Sequence, residues 1–225
     1  MTLIALYGII SLMKRSFTVF FLTLALIHPN ASYAESNSDL NSMSYTKMLR
    51  SLSLKGKYSK IYYKREFFGK PWFDLDKNNC DTRNDILRRD LKDVTISNED
   101  SCTVLSGVLS DPYTGKEIIF NRGYKSSLEV QIDHIVPLAD AWLSGGENLS
   151  KPQLLAFAND PQNLIAVSGS SNYQKGYSTP EKWSPKSDFF CSYLYKYVSV
   201  KYKYKLTISK NERDFLNKNI KVCNF

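Results

Sequence analysis

Leu128-Glu129-Val130-Gln131-Ile132-Asp133-His134-Ile135-Val136-Pro137 is the stretch on which the reading of this chain turns. Leu128, Val130 and Ile132 alternate with Glu129, Gln131 and Asp133, the period of two expected of a strand with one buried and one polar face. Asp133 is therefore expected on the polar face, with an imidazole beside it. The sequence holds two histidines, His28 and His134, and His28 lies in a segment that reads as a removable leader. Histidine-dependent chemistry in the rest of the chain must use His134.

Downstream, Pro137 to Pro161 reads as loop and helix with an apolar patch at Leu154, Leu155 and Phe157, and Leu164 to Val167 returns as a short strand. Gly169 to Ser171 breaks it. A short helix is then expected from about Asn172, capped by Ser170 or Ser171, with Asn172 and Lys175 three apart on one face. Upstream, the turn Asp111-Pro112-Tyr113-Thr114-Gly115 joins apolar runs at Val104–Leu109 and Ile118–Phe120, the signature of a hairpin. Asn121-Arg122-Gly123 is another turn. Asp81 to Leu91 predicts a helix carrying Arg83, Arg88 and Arg89, with Asp81 or Thr82 as its cap.

At the N-terminal side, Tyr45 to Leu54 has the spacing of a short helix. Lys55 to Trp72 interleaves lysines and arginines with aromatic residues, most of which are expected to pack inward under solvated charges. The tail reads as helix over Phe189–Val200, extended chain over Tyr202–Ile208 and helix over Asn211–Ile220. The expected class is α+β.

Lys14 and Arg15 precede an apolar run from Phe17 to Ile27 and the small-residue site Ser32-Tyr33-Ala34, so residues 1–34 read as a signal peptide cleaved after Ala34. The apolar stretch ahead of Lys14 also allows Met13 as the true start, or an uncleaved anchor formed by the whole leader. Cleavage removes two of the 30 basic residues and none of the 22 acidic ones, leaving 28 against 22 and a net charge of +6. That excess favours an anionic partner without identifying one. Residues 35–66 read as a polar, then basic segment, and 67–225 as one domain. Cys80, Cys102, Cys191 and Cys223 all lie in the exported part, an even count that implies disulfides. Three pairings are open; Cys80 with Cys102 and Cys191 with Cys223 each bracket one local unit. No spacing of cysteine and histidine suits zinc. Export predicts a secreted or periplasmic monomer with no stable membrane association.

Asp133-His134-Ile135-Val136-Pro137, then Asn163, then Asn172-Tyr173-Gln174-Lys175, make three spaced elements in a fixed order. From about Phe67 onward, with CDTRNDIL at 80–87 and DPYTG at 111–115, the chain resembles the HNH nucleases of the His-Me finger superfamily, and among them an exported bacterial family. A similar DHIVP, N and NxxK series occurs in the HNH domain of RNA-guided CRISPR nucleases. The resemblance implies a ββα-metal core with an N-terminal helix and β-hairpin extension and C-terminal helices. It implies His134 as general base, Asp133 and Asn172 as ligands of one Mg²⁺ (Mn²⁺ or another divalent ion as substitute), and Asn163 as the residue that ties the loop orienting His134. DNA, RNA or both would be the substrate. Arg122 and Lys175 are candidate cations for the charge that builds on the phosphate, against the plainer reading of solvated surface charges. Arg83 is a further candidate phosphate contact, although a pairing with Asp81 or Asp85 would equally account for it.

Three other readings compete. Asp74, Asp76, Asn78, Asn79 and Asp85 are spaced like a calcium loop, but Asn79 stands where glycine is usual and a capped helix start explains the same residues. A catalytically silent nucleic-acid-binding protein would keep the fold; loss of His134 or Asn172 would have pointed there. A sequence-specific mobile-element endonuclease would need a reading module such as zinc fingers, and none is visible.

Overall fold

The computed structural model describes residues 44–56, 62–123 and 126–225. The leader, the polar segment up to residue 43, and Lys57, Tyr58 and Lys60 of the basic stretch lie outside the described residues. The first described element is helix α1, Tyr45–Ser51, followed by a 3₁₀ turn at Arg65–Phe68 and helix α2, Thr82–Asp90. Strands β1, Leu91–Ile96, β2, Val104–Ser110, and β3, Glu117–Asn121, come next, then a single-turn helix α3, Ser126–Glu129. Strand β4, Val130–His134, helices α4, Leu138–Leu143, and α5, Lys151–Ala158, strand β5, Leu164–Ser168, and helix α6, Gly169–Lys175, form the middle of the chain. Helices α7, Phe190–Lys203, and α8, Lys210–Lys218, close it. The class is α+β, as expected.

The described residues form two small antiparallel sheets, one in the order β1-β2-β3 and one pairing β4 with β5. In the second, Gln131 faces Val167 and Asp133 faces Ile165, while Val130 and Ile132 share the opposite face with Leu164 and Ala166. That opposite face packs on α2 and the three-stranded sheet through Ile86, Leu87, Leu91, Val104, Leu109 and Phe120. The Ile165 and Val167 face meets a larger core built from α1, α4, α5 and the C-terminal helices. Because apolar layers cover both faces, all five residues of β5 are buried.

This sandwich corrects the expectation that Asp133 lies on a polar, open face: it is 5% exposed. The strand also begins later than the alternation suggested, since Leu128 belongs to α3 and is exposed. Helix α6 starts at Gly169, not near Asn172, and neither Ser170 nor Ser171 caps it; Ser168 holds the cap position, with its hydroxyl bonded to that of Ser170. The Tyr202–Ile208 segment is helical through Lys203 and then turns, with only a single bridge from Leu54 to Ile208. Strand β1 was not legible in the alternation, because Lys92 and Asp93 interrupt it and the pairing with β2 shifts register there. The β2–β3 hairpin stands as expected.

Gly169 is required by close approach. A Cβ there would lie 1.8 Å from the carbonyl oxygen of Leu128 and 3.3 Å from the side-chain amide of Gln131. Gly169→Ala must push α6 off the β4 edge, and we expect a loss of about 1–3 kcal/mol in urea unfolding, the usual cost of overpacking. An unchanged midpoint would show that the α3–α6 contact is loose.

Both disulfides pair as expected, Cys80 with Cys102 and Cys191 with Cys223. The first ties the start of α2 to the start of β2, and the second ties α7 to the chain end. Asp81 caps α2 by accepting from the Asn84 amide. The calcium-like residues satisfy one another locally: Asp74 and Asp76 accept from the backbone of Asn78, and Asp85 accepts from its side chain.

Candidate active site

Strand β4 ends on His134 and the chain turns at Pro137 into α4, so the imidazole stands at the mouth of the β4–β5 pair. Asn163 makes that turn rigid. Its side-chain oxygen accepts from the Val136 amide at 2.8 Å, its amide donates to the Val136 carbonyl at 3.3 Å, and its backbone carbonyl accepts from Ile135. Asn163 is fully buried and does not line the cleft.

His134 Nε2 lies 2.9 Å from the carbonyl oxygen of Ala158, at the end of α5. A carbonyl only accepts, so Nε2 carries the proton and the lone pair on Nδ1 is left to accept another. Burial lowers the pKa of His134 to about 4, against smaller opposing contributions from the Ala158 carbonyl and Asp133. The ring is therefore neutral at pH 7.

Asp133 points into the β4–α6 junction. Its Oδ2 accepts from the Tyr113 hydroxyl at 2.6 Å and pairs with Lys175 Nζ at 2.9 Å, and its Oδ1 lies 3.2 Å from the same ammonium. Lys175 also donates to the His134 carbonyl at 2.8 Å and is only 1% exposed. This rules out a solvated surface charge for Lys175 and places it beneath Asp133 instead of in the cleft. Burial, and then the Asp133 charge, push the Tyr113 phenol well above its ordinary pKa, so it stays a donor. Asn172, one turn before Lys175, donates its amide to Gln131 Oε1 at 2.8 Å, which leaves its carbonyl oxygen unused by that contact.

A cleft of about 460 Å³ brings Asp133, His134 and Asn172 together with Gln131, Arg65, Trp72, Arg83 and Tyr177. Arg83 donates to the Val130 carbonyl at 3.3 Å, and burial, with the nearby Arg122 guanidinium, lowers its pKa. Arg122 itself does not line the cleft: it donates to the Val104 carbonyl and to Asn84 Oδ1, both at 2.6 Å, because it leaves β3 on the side of the three-stranded sheet.

Five contributors were not legible in the sequence. Tyr113 was read only as part of a turn, although DPYTG marked it. Gln131 lies two residues before Asp133 and so shares its strand face. Arg65 and Trp72 sat unassigned in the basic, aromatic stretch. The Ala158 carbonyl is a backbone group and carries no residue signal.

The metal-ligand set can be tested on chemistry. Asp133 and Asn172 offer hard oxygen donors of the kind Mg²⁺ takes. A carboxylate has about four lone-pair sites, and Tyr113 and Lys175 occupy three of those on Asp133. That leaves about one site on Asp133, with the Asn172 carbonyl oxygen, for a divalent ion whose remaining ligands would be water and substrate oxygens.

A family described as "GmrSD restriction endonucleases, C-terminal domain" matches residues 81–219, more than half of the chain. The match takes in Arg83, Arg122, Asp133, His134, Asn163, Asn172 and Lys175. An "Uncharacterized secreted protein" from Arthroderma benhamiae is 32% identical over 198 residues, covering 87% of each chain. No solved structure gives a significant match. The secreted relative and the two disulfides agree with the expected location outside the reducing cytoplasm. Among the described residues no helix is long and apolar enough to cross a membrane. On the extent of the family match, the chain belongs to the family of GmrSD restriction endonuclease C-terminal domains.

Proposed function

We propose that this protein is an exported, divalent-metal-dependent endonuclease of the HNH type, hydrolysing phosphodiester bonds in DNA or RNA. The observation that carries the reading is the His134–Ala158 bond, which presents a neutral imidazole lone pair to a cleft that also holds Asp133, Asn172 and Arg83. The family's name as restriction endonucleases supports the same chemistry.

In the mechanism, His134 Nδ1 takes a proton from a water molecule as its oxygen attacks phosphorus, and the bond from phosphorus to the 3′ oxygen breaks. Arg83 meets the charge on the non-bridging oxygens. Asp133 and Asn172 would hold Mg²⁺ or Mn²⁺, which supplies charge stabilisation for the phosphate and the leaving oxygen. Lys175 and Tyr113 orient Asp133, and Asn163 orients the turn behind His134.

A silent binding protein is the second reading, and the Lys175–Asp133 pair favours it, because an internal cation already neutralises the carboxylate. The test is incubation of the exported chain with plasmid DNA and with total RNA, in Mg²⁺, Mn²⁺ or EDTA. Nicking that requires the ion is the expected result. Retained nucleic acid bound without cleavage in every divalent ion would replace the nuclease by the silent binder.

A further inference from the structure

The cleft wall facing the ββα unit comes from a segment outside the region the family match covers. Arg65 opens the 3₁₀ turn and Trp72 follows it. Together with His134 and Leu138 they line the cleft, and the same four residues line a second, small depression next to it. His134 thus stands between two hollows that share a wall of one guanidinium and one indole.

Trp72 differs from an ordinary packed aromatic. Its φ is +54°, a left-handed conformation that is an outlier for a bulky side chain and that clusters at functional sites. It is half-buried against the Ile86 and Leu87 cluster, with the Arg83 guanidinium 6.0 Å from its ring centroid. Across the cleft, Tyr177 is 76% exposed. Among the described residues neither Arg65 nor Arg83 has a carboxylate at ion-pair distance. The Arg65 charge acts on Tyr63 and on His134. Two guanidiniums without acidic partners, interleaved with open rings, suit a phosphate backbone whose bases are free to stack.

We propose that this groove binds an unpaired nucleic-acid strand, with Arg65 and Arg83 on backbone phosphates flanking His134 and a neighbouring base stacked on Trp72. The proposal rests on the nuclease reading of the same site and adds the substrate form. A paired duplex offers phosphates to the arginines but no base face to the indole, so the ring contact requires a strand that is single or locally opened.

The test is fluorescence anisotropy of the full His134→Ala chain with a short labelled oligo(dT) and with a duplex of equal length. Tighter binding of the single strand is expected. Trp72→Leu should weaken it by about tenfold or more, the usual effect of losing one base stack, while Trp72→Phe keeps most of it. Arg65→Gln should lower the slope of log K against log salt by about one. Indole fluorescence should be quenched on binding, and the quench should vanish in Trp72→Phe although Trp142 and Trp183 remain. Equal affinity for the duplex, or unchanged binding by Trp72→Leu, would overturn the proposal while plasmid nicking by the native chain still upheld the nuclease. Absence of nicking in every divalent ion would overturn both. If Trp72→Leu does not fold, the fluorescence comparison with Trp72→Phe decides alone.

Discussion

His134→Ala is expected to slow plasmid nicking by about 10²- to 10⁴-fold, the usual contribution of a positioned general base, while leaving the chain folded. The effect is large because the sequence's other histidine, His28, lies in the leader-like segment and outside the described residues. The Nε2–Ala158 bond fixes the tautomer, so the substitution removes the lone pair that is left on Nδ1. Loss of the ring leaves the Asn163 clamp on Val136 intact, which is why the turn should survive.

The same site predicts a pH profile. With burial holding the His134 pKa at about 4, the base is neutral throughout the range from pH 7 to 5.5. Nicking should therefore hold up on mild acidification, and the acid limb of kcat/KM should fall near pH 4 instead of near the ordinary imidazole value of about 6.5. A limb close to 6.5 would mean that the ring is solvated in the working enzyme.

Lys201→Met carries the second large effect, on stability. Lys201 Nζ is buried in the C-terminal core, 2.8 Å from Asp140 and 3.2 Å from Glu212, with Ser144 and the Thr207 carbonyl as further acceptors. Burial is the largest single influence and raises the Asp140 pKa, but the Lys201 charge and hydrogen bond, with Lys55 and the Tyr197 hydroxyl, together hold the carboxyl below its ordinary value. Removing the lysine leaves two buried carboxylates held by Tyr197, Ser144 and the Ser209 amide, with Lys55 at 3.9 Å from Asp140 as a more distant cation. Breaking a buried pair in this way costs about 3–5 kcal/mol, measurable by urea unfolding. Replacing all three charged residues together by apolar ones of similar size should recover most of that loss, since the penalty comes from the unpaired charge. A cost below about 1 kcal/mol for the single change would show that water reaches the network.

Local patterns carried much of this protein. Residues near in sequence marked the hairpin around DPYTG and the helix that begins at Asp81 or Thr82, favoured two of the possible disulfide pairs, and set out the His134, Asn163 and Asn172 elements in order. Turn chemistry, capping and periodicity act over a few residues, so a single chain displays them. Burial of a strand face does not. The alternation from Leu128 to Asp133 shows two faces, yet whether the polar one meets water depends on helices more than fifty residues away.

Only the tertiary structure therefore decided that Asp133 is enclosed, with Tyr113 from the hairpin and Lys175 from α6 closing on it. It also decided that Arg122 turns toward Val104 and Asn84, and that Arg65 and Trp72 reach His134 from a segment nearly seventy residues upstream. The physical reason is the second apolar layer. Once the C-terminal helices cover the Ile165 and Val167 face, every polar group there must find a partner inside the protein, and those partners come from wherever the chain has folded back.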